Sequence, residues 1–301
     1  MVIDKKLKQY ILILMAGAIW GTIGVFMRKL DLLGSTPEYT TFLRMLFAFI
    51  MLFLITVFKE GIESLKINKS TLWSCVLLGI FPMFLQNICY NNAVNRLGMA
   101  LGGAILYIAP VFTAVLSRIV FKESIKKDKM IALFLNVIGC VLATMGGAFS
   151  EVSFTFIGVL FAIGAAISFA LLNIFGRLAT DECSPFVVTT YNFLFGTIVT
   201  IVTTAPWKSL DNPWDKKILF WSFLFALVPT TIAYLLYFTG IQELKETSKV
   251  PIFVSVELVV AIILGAVIFK EKISIITIVG VLLIFSAIIK TNQGNCKEDV
   301  Q

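Results

Sequence analysis

The sequence predicts an all-α integral membrane protein, with ten transmembrane helices arranged as two inverted five-helix repeats. Three observations carry this. Of 301 residues, 58% are hydrophobic and 14% charged, against roughly 25% charged in a soluble domain, too few to cover a water-facing surface. Apolar stretches of about 20 residues, the length that crosses roughly 30 Å of hydrocarbon, recur ten times. And the second half of the chain repeats the first at a shift of 148 residues.

In chain order the spans are expected at 9–28, 38–58, 71–93, 99–121, 129–148, 155–176, 185–205, 217–240, 248–269 and 274–290. The first follows Lys5, Lys6 and Lys8, but its apolar run is longer than a signal-peptide core and other spans follow at once. It holds Gly17 and Gly21, a small-xxx-small pair suited to close helix contact; Gly98 and Gly102 repeat that spacing at the fourth span. Spans two and seven each open on a hydroxyl residue before proline, Thr36-Pro37 and Ser184-Pro185. The third and eighth carry Pro82 and Pro229, which free a carbonyl and favour a kink. The fourth and ninth both end Phe-Lys-Glu, at Phe121-Lys122-Glu123 and Phe269-Lys270-Glu271. Connections are too short for a soluble domain, so the chain divides into repeats 1–150 and 151–301.

Further pairs support the repeat: Thr41 with Thr189, Leu46-Phe47 with Leu194-Phe195, and Ala18-Ile19 with Ala166-Ile167. Five spans per copy is an odd number, so the second copy enters the membrane in the opposite sense, a transporter construction. With the N-terminus inside, cytoplasmic segments of the first half carry 11 Lys and Arg and outer segments 3; the second half splits 5 to 5. The first half therefore places both termini in the cytoplasm, with the chain in the plasma membrane.

Composition also excludes. There is no histidine, which removes the usual catalytic base, metal ligand and pH sensor. The five cysteines show no CxxC spacing, so neither a disulfide framework nor a zinc site is indicated. No P-loop or H-E-x-x-H occurs. The net charge of +7 forms no clustered basic face for nucleic acid. No cofactor and no metal is expected, and energy would have to come from a gradient. The expected partners are the bilayer, a small-molecule solute and protons, with the chain a monomer or homodimer.

The candidate site residues are the polar and aromatic groups inside the spans. Glu257 lies near the middle of span nine, where an acid costs roughly 2.5–3.5 kcal/mol and must face a cavity or a partner. Low dielectric disfavours its charged form, which makes it a coupling candidate. Pro110 is one position past its counterpart in span four. Gln86, Asn87, Tyr90 and Asn91 share one face of span three, and a polar face in lipid must turn inward. Thr230, Tyr234 and Tyr237 run along span eight at matching depth. Trp20, in the middle of span one, and Tyr107, just before Pro110, are candidate aromatic walls. Arg44 either grips an anionic group of the solute with two hydrogen bonds or pins its span to Asp31, Glu38 or backbone carbonyls. Lys249 is a gating candidate that can instead snorkel to the interface.

Gly17-Ala18-Ile19-Trp20-Gly21, Arg44, Ala109-Pro110-Val111-Phe112 with Phe121-Lys122-Glu123, and Glu257 with Phe269-Lys270-Glu271 together resemble the EamA-type members of the drug/metabolite transporter superfamily, over nearly the whole chain. The sequence departs from that pattern at Leu258, where proline is frequent, and at Asn192, the second-half equivalent of Arg44. The resemblance implies a ten-helix bundle of two inverted repeats. It also implies a central cavity lined chiefly by spans 1, 3, 4, 6, 8 and 9, and movement of amino acids, sugars, nucleotide-like metabolites or drugs. The expected function is therefore a secondary transporter, an exporter of a small metabolite such as an amino acid, and not an enzyme. A membrane-embedded enzyme acting on a lipid-like substrate is the alternative, and it would need acids or basic pockets clustered at one interface.

Overall fold

The computed structural model describes the backbone of residues 2–146, 155–206, 214–242, 244 and 246–298, and side chains between 7 and 292 within those segments. Lys208, Lys245, the side chains of Lys5, Lys6, Cys296 and Lys297, and the junction between the two expected repeats lie outside the described residues. Among the described residues, ten helices are long and apolar enough to cross a membrane: α1 (Leu7–Leu32), α2 (Pro37–Glu60), α3 (Lys69–Leu97), α4 (Met99–Phe121), α5 (Lys127–Met145), α6 (Phe156–Thr180), α7 (Pro185–Thr204), α8 (Lys216–Gln242), α9 (Thr247–Phe269) and α10 (Ile275–Asn292). Lipid satisfies no backbone group, so helices with internal hydrogen bonds are the form such apolar runs take. Successive helices alternate in direction. The face of the bundle where α1 begins is called the near face here, and the opposite one the far face.

Local chemistry is alike in the two halves. Thr36 Oγ1 accepts from the Tyr39 N–H and Ser184 Oγ from the Val187 N–H, both at 3.3 Å, capping α2 and α7 ahead of a proline. After α4 and α9, Lys122 and Lys270 take the left-handed conformation at φ 56°. The next N–H then turns back six residues, Glu123 to the Ser117 carbonyl and Glu271 to the Gly265 carbonyl. α3 and α8 pass through π-helical turns, Gly79–Leu85 around Pro82 and Leu227–Ile232 around Pro229. Proline cannot bond four residues back, and the Thr230 hydroxyl takes up the Phe225 carbonyl that Pro229 leaves free, at 3.0 Å.

Packing follows the same pattern. α1 lies on α8 and α9, and α6 lies on α3 and α4; α2 pairs with α7, and α5 with α10. Small residues set the approach. A Cβ on Gly280 would sit 2.4 Å from the Ala143 nitrogen, and one on Gly139 would sit 2.8 Å from the Gly280 carbonyl. A Cβ on Gly21 would stand 2.6 Å from Val260 Cβ and 2.7 Å from the Glu257 carbonyl. Gly17 and Gly21 thus let α1 rest on α9. Gly98 does not act in this way: at φ 82° it terminates α3 with open space around it.

Three helices are interrupted at mid-depth. α1 is helical to Trp20 and resumes at Ile23; Thr22 closes the gap by donating its hydroxyl to the Ile19 carbonyl at 2.7 Å. α4 breaks between Leu106 and Ala109, and α9 at Ser255. Tyr107 and Ser255 are 148 residues apart, so the second and third breaks fall at one repeat position. Interrupted backbone within a membrane is tolerated where it is buried in protein or lines a cavity.

Candidate functional site

Glu257 sits in the first turn after the α9 break. It lines a cavity of about 70 Å³ together with Gln86, Tyr107, Pro110, Asn136 and Ser255. The walls come from α3, α4, α5, α6 and α9. Among the described residues the Glu257 carboxylate has no hydrogen bond and no ion pair. Ser255 gives its proton to the Ile252 carbonyl at 2.6 Å and accepts from Asn136 Nδ2, also at 2.6 Å. Asn136 is fully buried, and its Oδ1 has no partner.

The other expected groups divide. Trp20, Tyr234 and Tyr237 form a packed aromatic cluster, with Trp20 4.9 Å from Tyr234 and 5.0 Å from Tyr237 between centroids. Tyr237 donates to Asn173 Oδ1 at 2.8 Å, and Asn173 Nδ2 donates to Thr113 Oγ1 at 3.4 Å, tying α8 to α6 and α4. Thr230 and Asn87 are spent on their own helices, Asn87 donating to the Met83 carbonyl at 2.5 Å. Asn91 is exposed on the outside of the bundle and does not turn inward with its neighbours. Tyr90 lies within electrostatic reach of Glu257, as do Tyr107, Cys140 and Tyr234. The single inward face expected of α3 is thus shared among a cavity group, a backbone cap and a surface residue.

Arg44 is not held by Asp31 or Glu38. Its guanidinium lies over the Phe225 ring at 5.1 Å, with electrostatic reach to Tyr234. Nε is buried without a hydrogen bond, and no carboxylate pairs with it among the described residues. Tyr234 stands within reach of both Arg44 and Glu257, so one cation and one anion flank the aromatic cluster. Lys249 does not snorkel. Its side chain is 6% exposed and bonds Glu246 at 2.9 Å.

That bond belongs to a network on the near face. Glu123 accepts from Arg177 at 2.8 Å, from the Thr247 N–H at 2.8 Å and from the Ser248 hydroxyl at 2.5 Å. Lys129 reaches Ser248 at 2.7 Å and Glu246 at 3.1 Å. The network joins α4, α5, α6 and α9. Burial works against the Glu246 carboxylate, but the Lys249 hydrogen bond and the charges of Lys249 and Lys129 prevail and hold it below its ordinary 4.5. On the far face the corresponding glutamate, Glu271, has one partner of this kind among the described residues, Arg28 at 2.6 Å, and both side chains are about half exposed. Beside them opens a vestibule of about 450 Å³ between α1, α4, α5, α9 and α10. Leu258 forms part of its wall, next in sequence to Glu257 in the cavity. A buried ionic network thus ties helix ends together on the near face, a vestibule opens on the far face, and a partly polar cavity lies at the helix breaks between them.

The EamA-like transporter family model matches this chain twice, over residues 7–145 and 156–293. The chain belongs to the EamA-like transporter family. It is similar to the uncharacterized transporter YyaM of Bacillus subtilis, 27% identical over 261 residues with 82% of this chain and 84% of the relative covered. It is likewise similar to an uncharacterized transporter of Archaeoglobus fulgidus, 25% identical with 92% and 93% covered. A third relative is YetK of Bacillus subtilis, an uncharacterized transporter 26% identical with 96% and 88% covered. A solved crystal structure matches at TM-score 0.77 and 15% identity, covering 94% of this chain and 96% of that one, and so shares the fold. The protein is a multi-pass membrane protein of a transporter family.

Sequence reasoning did not single out Asn136, Asn173, Thr113 or Ser255. Asn136 and Asn173 were legible as lone amides inside apolar spans, a position that marks function or a partner. Thr113 and Ser255 give no such signal, because hydroxyls bond their own helices at low cost.

Proposed function

We propose that this chain is a secondary transporter exporting a small metabolite such as an amino acid. It would work by alternating access between two inverted five-helix repeats, with protons exchanged at Glu257. The observation that carries this reading is an asymmetry between the two faces: a buried ionic network ties α4, α5, α6 and α9 together on the near face, while a vestibule opens between α1, α4, α5, α9 and α10 on the far face. A carrier caught facing one side has this form. The double match to one family model, the shared caps and the symmetric helix pairing support the repeat. Five spans per copy make it inverted. The 11 to 3 charge count supports cytoplasmic termini, so the near face would be the cytoplasmic one and the vestibule would open outward.

The solute would lie among Glu257, Gln86, Tyr107 and the cluster of Trp20, Tyr234 and Tyr237, with Arg44 available to an anionic group. Glu257 would load a proton from the open side and release it after the repeats rock. The titratable groups that face it, Tyr90, Tyr107, Cys140 and Tyr234, are neutral types near pH 7, so no fixed charge there competes. Purified protein in sealed liposomes, assayed with a radiolabelled amino-acid panel, tests the reading. Uphill movement driven by an opposing proton gradient is expected. In Glu257→Gln that uphill movement should vanish while exchange at equal pH survives. A variant that still concentrates solute, with an unchanged pH profile, removes Glu257 from the coupling.

A further inference from the structure

We propose that the cavity between Asn136 and Glu257 is a subsite for a small monovalent cationic centre, either the ammonium group of a solute or a bare alkali ion. The inference rests on the transporter reading for its setting and on the hydrogen-bond inventory for its chemistry. Asn136 is fully buried and lines the cavity. Its amide nitrogen is committed to Ser255, whose own proton is committed to the Ile252 carbonyl. What remains is Asn136 Oδ1, an unpartnered acceptor. The Glu257 carboxylate, when ionised, is acceptor-only and has no partner either. An unsatisfied buried acceptor costs about 1–3 kcal/mol, so Asn136 Oδ1 calls for a donor brought from outside, and the part-buried Glu257 carboxylate on the same cavity supplies the charge that would draw one in.

No lysine or arginine lines this cavity. The helix breaks do not reverse the sign. They bring two helix starts, at Ala109 and Val256, and two helix ends, at Leu106 and Val254, whose partial charges oppose one another. The carboxylate is left as the dominant charge. An ammonium carries three donors and no acceptor, which matches Asn136 Oδ1 and Glu257 with Gln86 as a third possible acceptor. An alkali ion would use the same oxygens. The volume, about 70 Å³, holds a head group or an ion with few waters, so the body of a larger solute would extend toward the aromatic cluster of Trp20 and Tyr234.

The test is binding by the purified full-length protein in detergent, read as a thermal shift. The probes are methylamine to butylamine against the alkanols of equal length in choline chloride, and sodium chloride titrated alone. The expected result is stabilisation by the amines and not the alkanols, or by sodium alone, the two arms separating the ammonium source from the ion source. In either case the apparent affinity should fall at least tenfold in Asn136→Leu and in Glu257→Gln. Should Asn136→Leu fail to fold, Glu257→Gln, which keeps the shape of the side chain, carries the test. Equal shifts from amines and alkanols, no shift from any cation, or undiminished binding in Glu257→Gln would overturn the subsite. Flux in liposomes keeps the two readings apart. Binding without flux sinks the transporter reading alone, and flux without cation binding sinks the subsite alone.

Discussion

At the scale of the residue, the site depends on contacts that single atoms decide. Gly21 has no room for a Cβ against Val260 and the Glu257 carbonyl, whereas Gly24, one turn on, has nothing within 4 Å. Gly21→Ala should therefore destabilise the protein by about 1–3 kcal/mol through overpacking, and Gly24→Ala should be neutral or slightly stabilising. Equal melting temperatures for the two variants would show that α1 does not rest on α9 as described. Tyr237→Phe removes the donor to Asn173 and leaves a buried oxygen unpaired. A loss of about 0.6–2 kcal/mol is expected, the range for hydrogen bonds inside membranes. At this scale the sequence was only partly readable. Glu257, Gln86 and Tyr107 announce themselves as polar groups in apolar runs. Whether Asn87 lines a cavity or caps the Met83 carbonyl depends on where the π-turn at Pro82 falls, which no local pattern states. The partner of Lys249 was equally hidden, because Glu246 reaches it only once the segment before α9 turns inward.

At the scale of the element, the breaks in α4 and α9 explain why an acid, an amide and an aromatic ring meet at one depth. Pro110 denies the Leu106 carbonyl its usual donor and so keeps Tyr107 and Ile108 out of the helix. Pro110→Ala should restore that bond and smooth α4. The expected outcome is unchanged or higher thermal stability with a lower transport rate in liposomes. A variant of full activity would mean that the break is incidental. Pro110 was visible in the sequence. The breaks at Ser255 and Thr22 were not, since neither is followed by a proline within one turn; both lie beside the close approach of α1 to α9 at Gly17 and Gly21. The near-face network carries a pH signature. Because Glu246 is held below its ordinary 4.5, its contribution is present above that value and lost as pH falls through the lower, folded one. Thermal stability should therefore decline below about pH 4.5, and Glu246→Gln should flatten that decline. An identical acid limb in the variant would place the acid sensitivity elsewhere.

At the scale of the whole molecule, the ten spans and the doubled motifs were legible because lipid leaves so few choices. Only long apolar helices satisfy the backbone there, and the Phe-Lys-Glu endings and hydroxyl-proline starts recur at a shift of 148, with Pro82 and Pro229 one residue off it. The sequence does not disclose which face carries the buried ionic network. That asymmetry lies in the partners of the two matching glutamates, a buried set for Glu123 and one half-exposed arginine for Glu271. Inversion of the repeats predicts that Lys122 and Lys270 end on opposite sides. Single cysteines at the two positions, labelled with an impermeant maleimide, should react from opposite faces of the membrane, and labelling from one common face would refute inversion.

Alternating access around the helix breaks is tested most directly by one cysteine at Leu106, which lines the Glu257 cavity, in an otherwise cysteine-free chain. In the unaltered network, an impermeant thiol reagent should reach it from the far face and not from the near face. Adding Glu123→Gln removes the hub of the near-face network, and near-face labelling should then rise at least tenfold while far-face labelling falls. Labelling from both faces at once, or a near-face rate indifferent to Glu123, would contradict a gated carrier and with it the proposed mechanism.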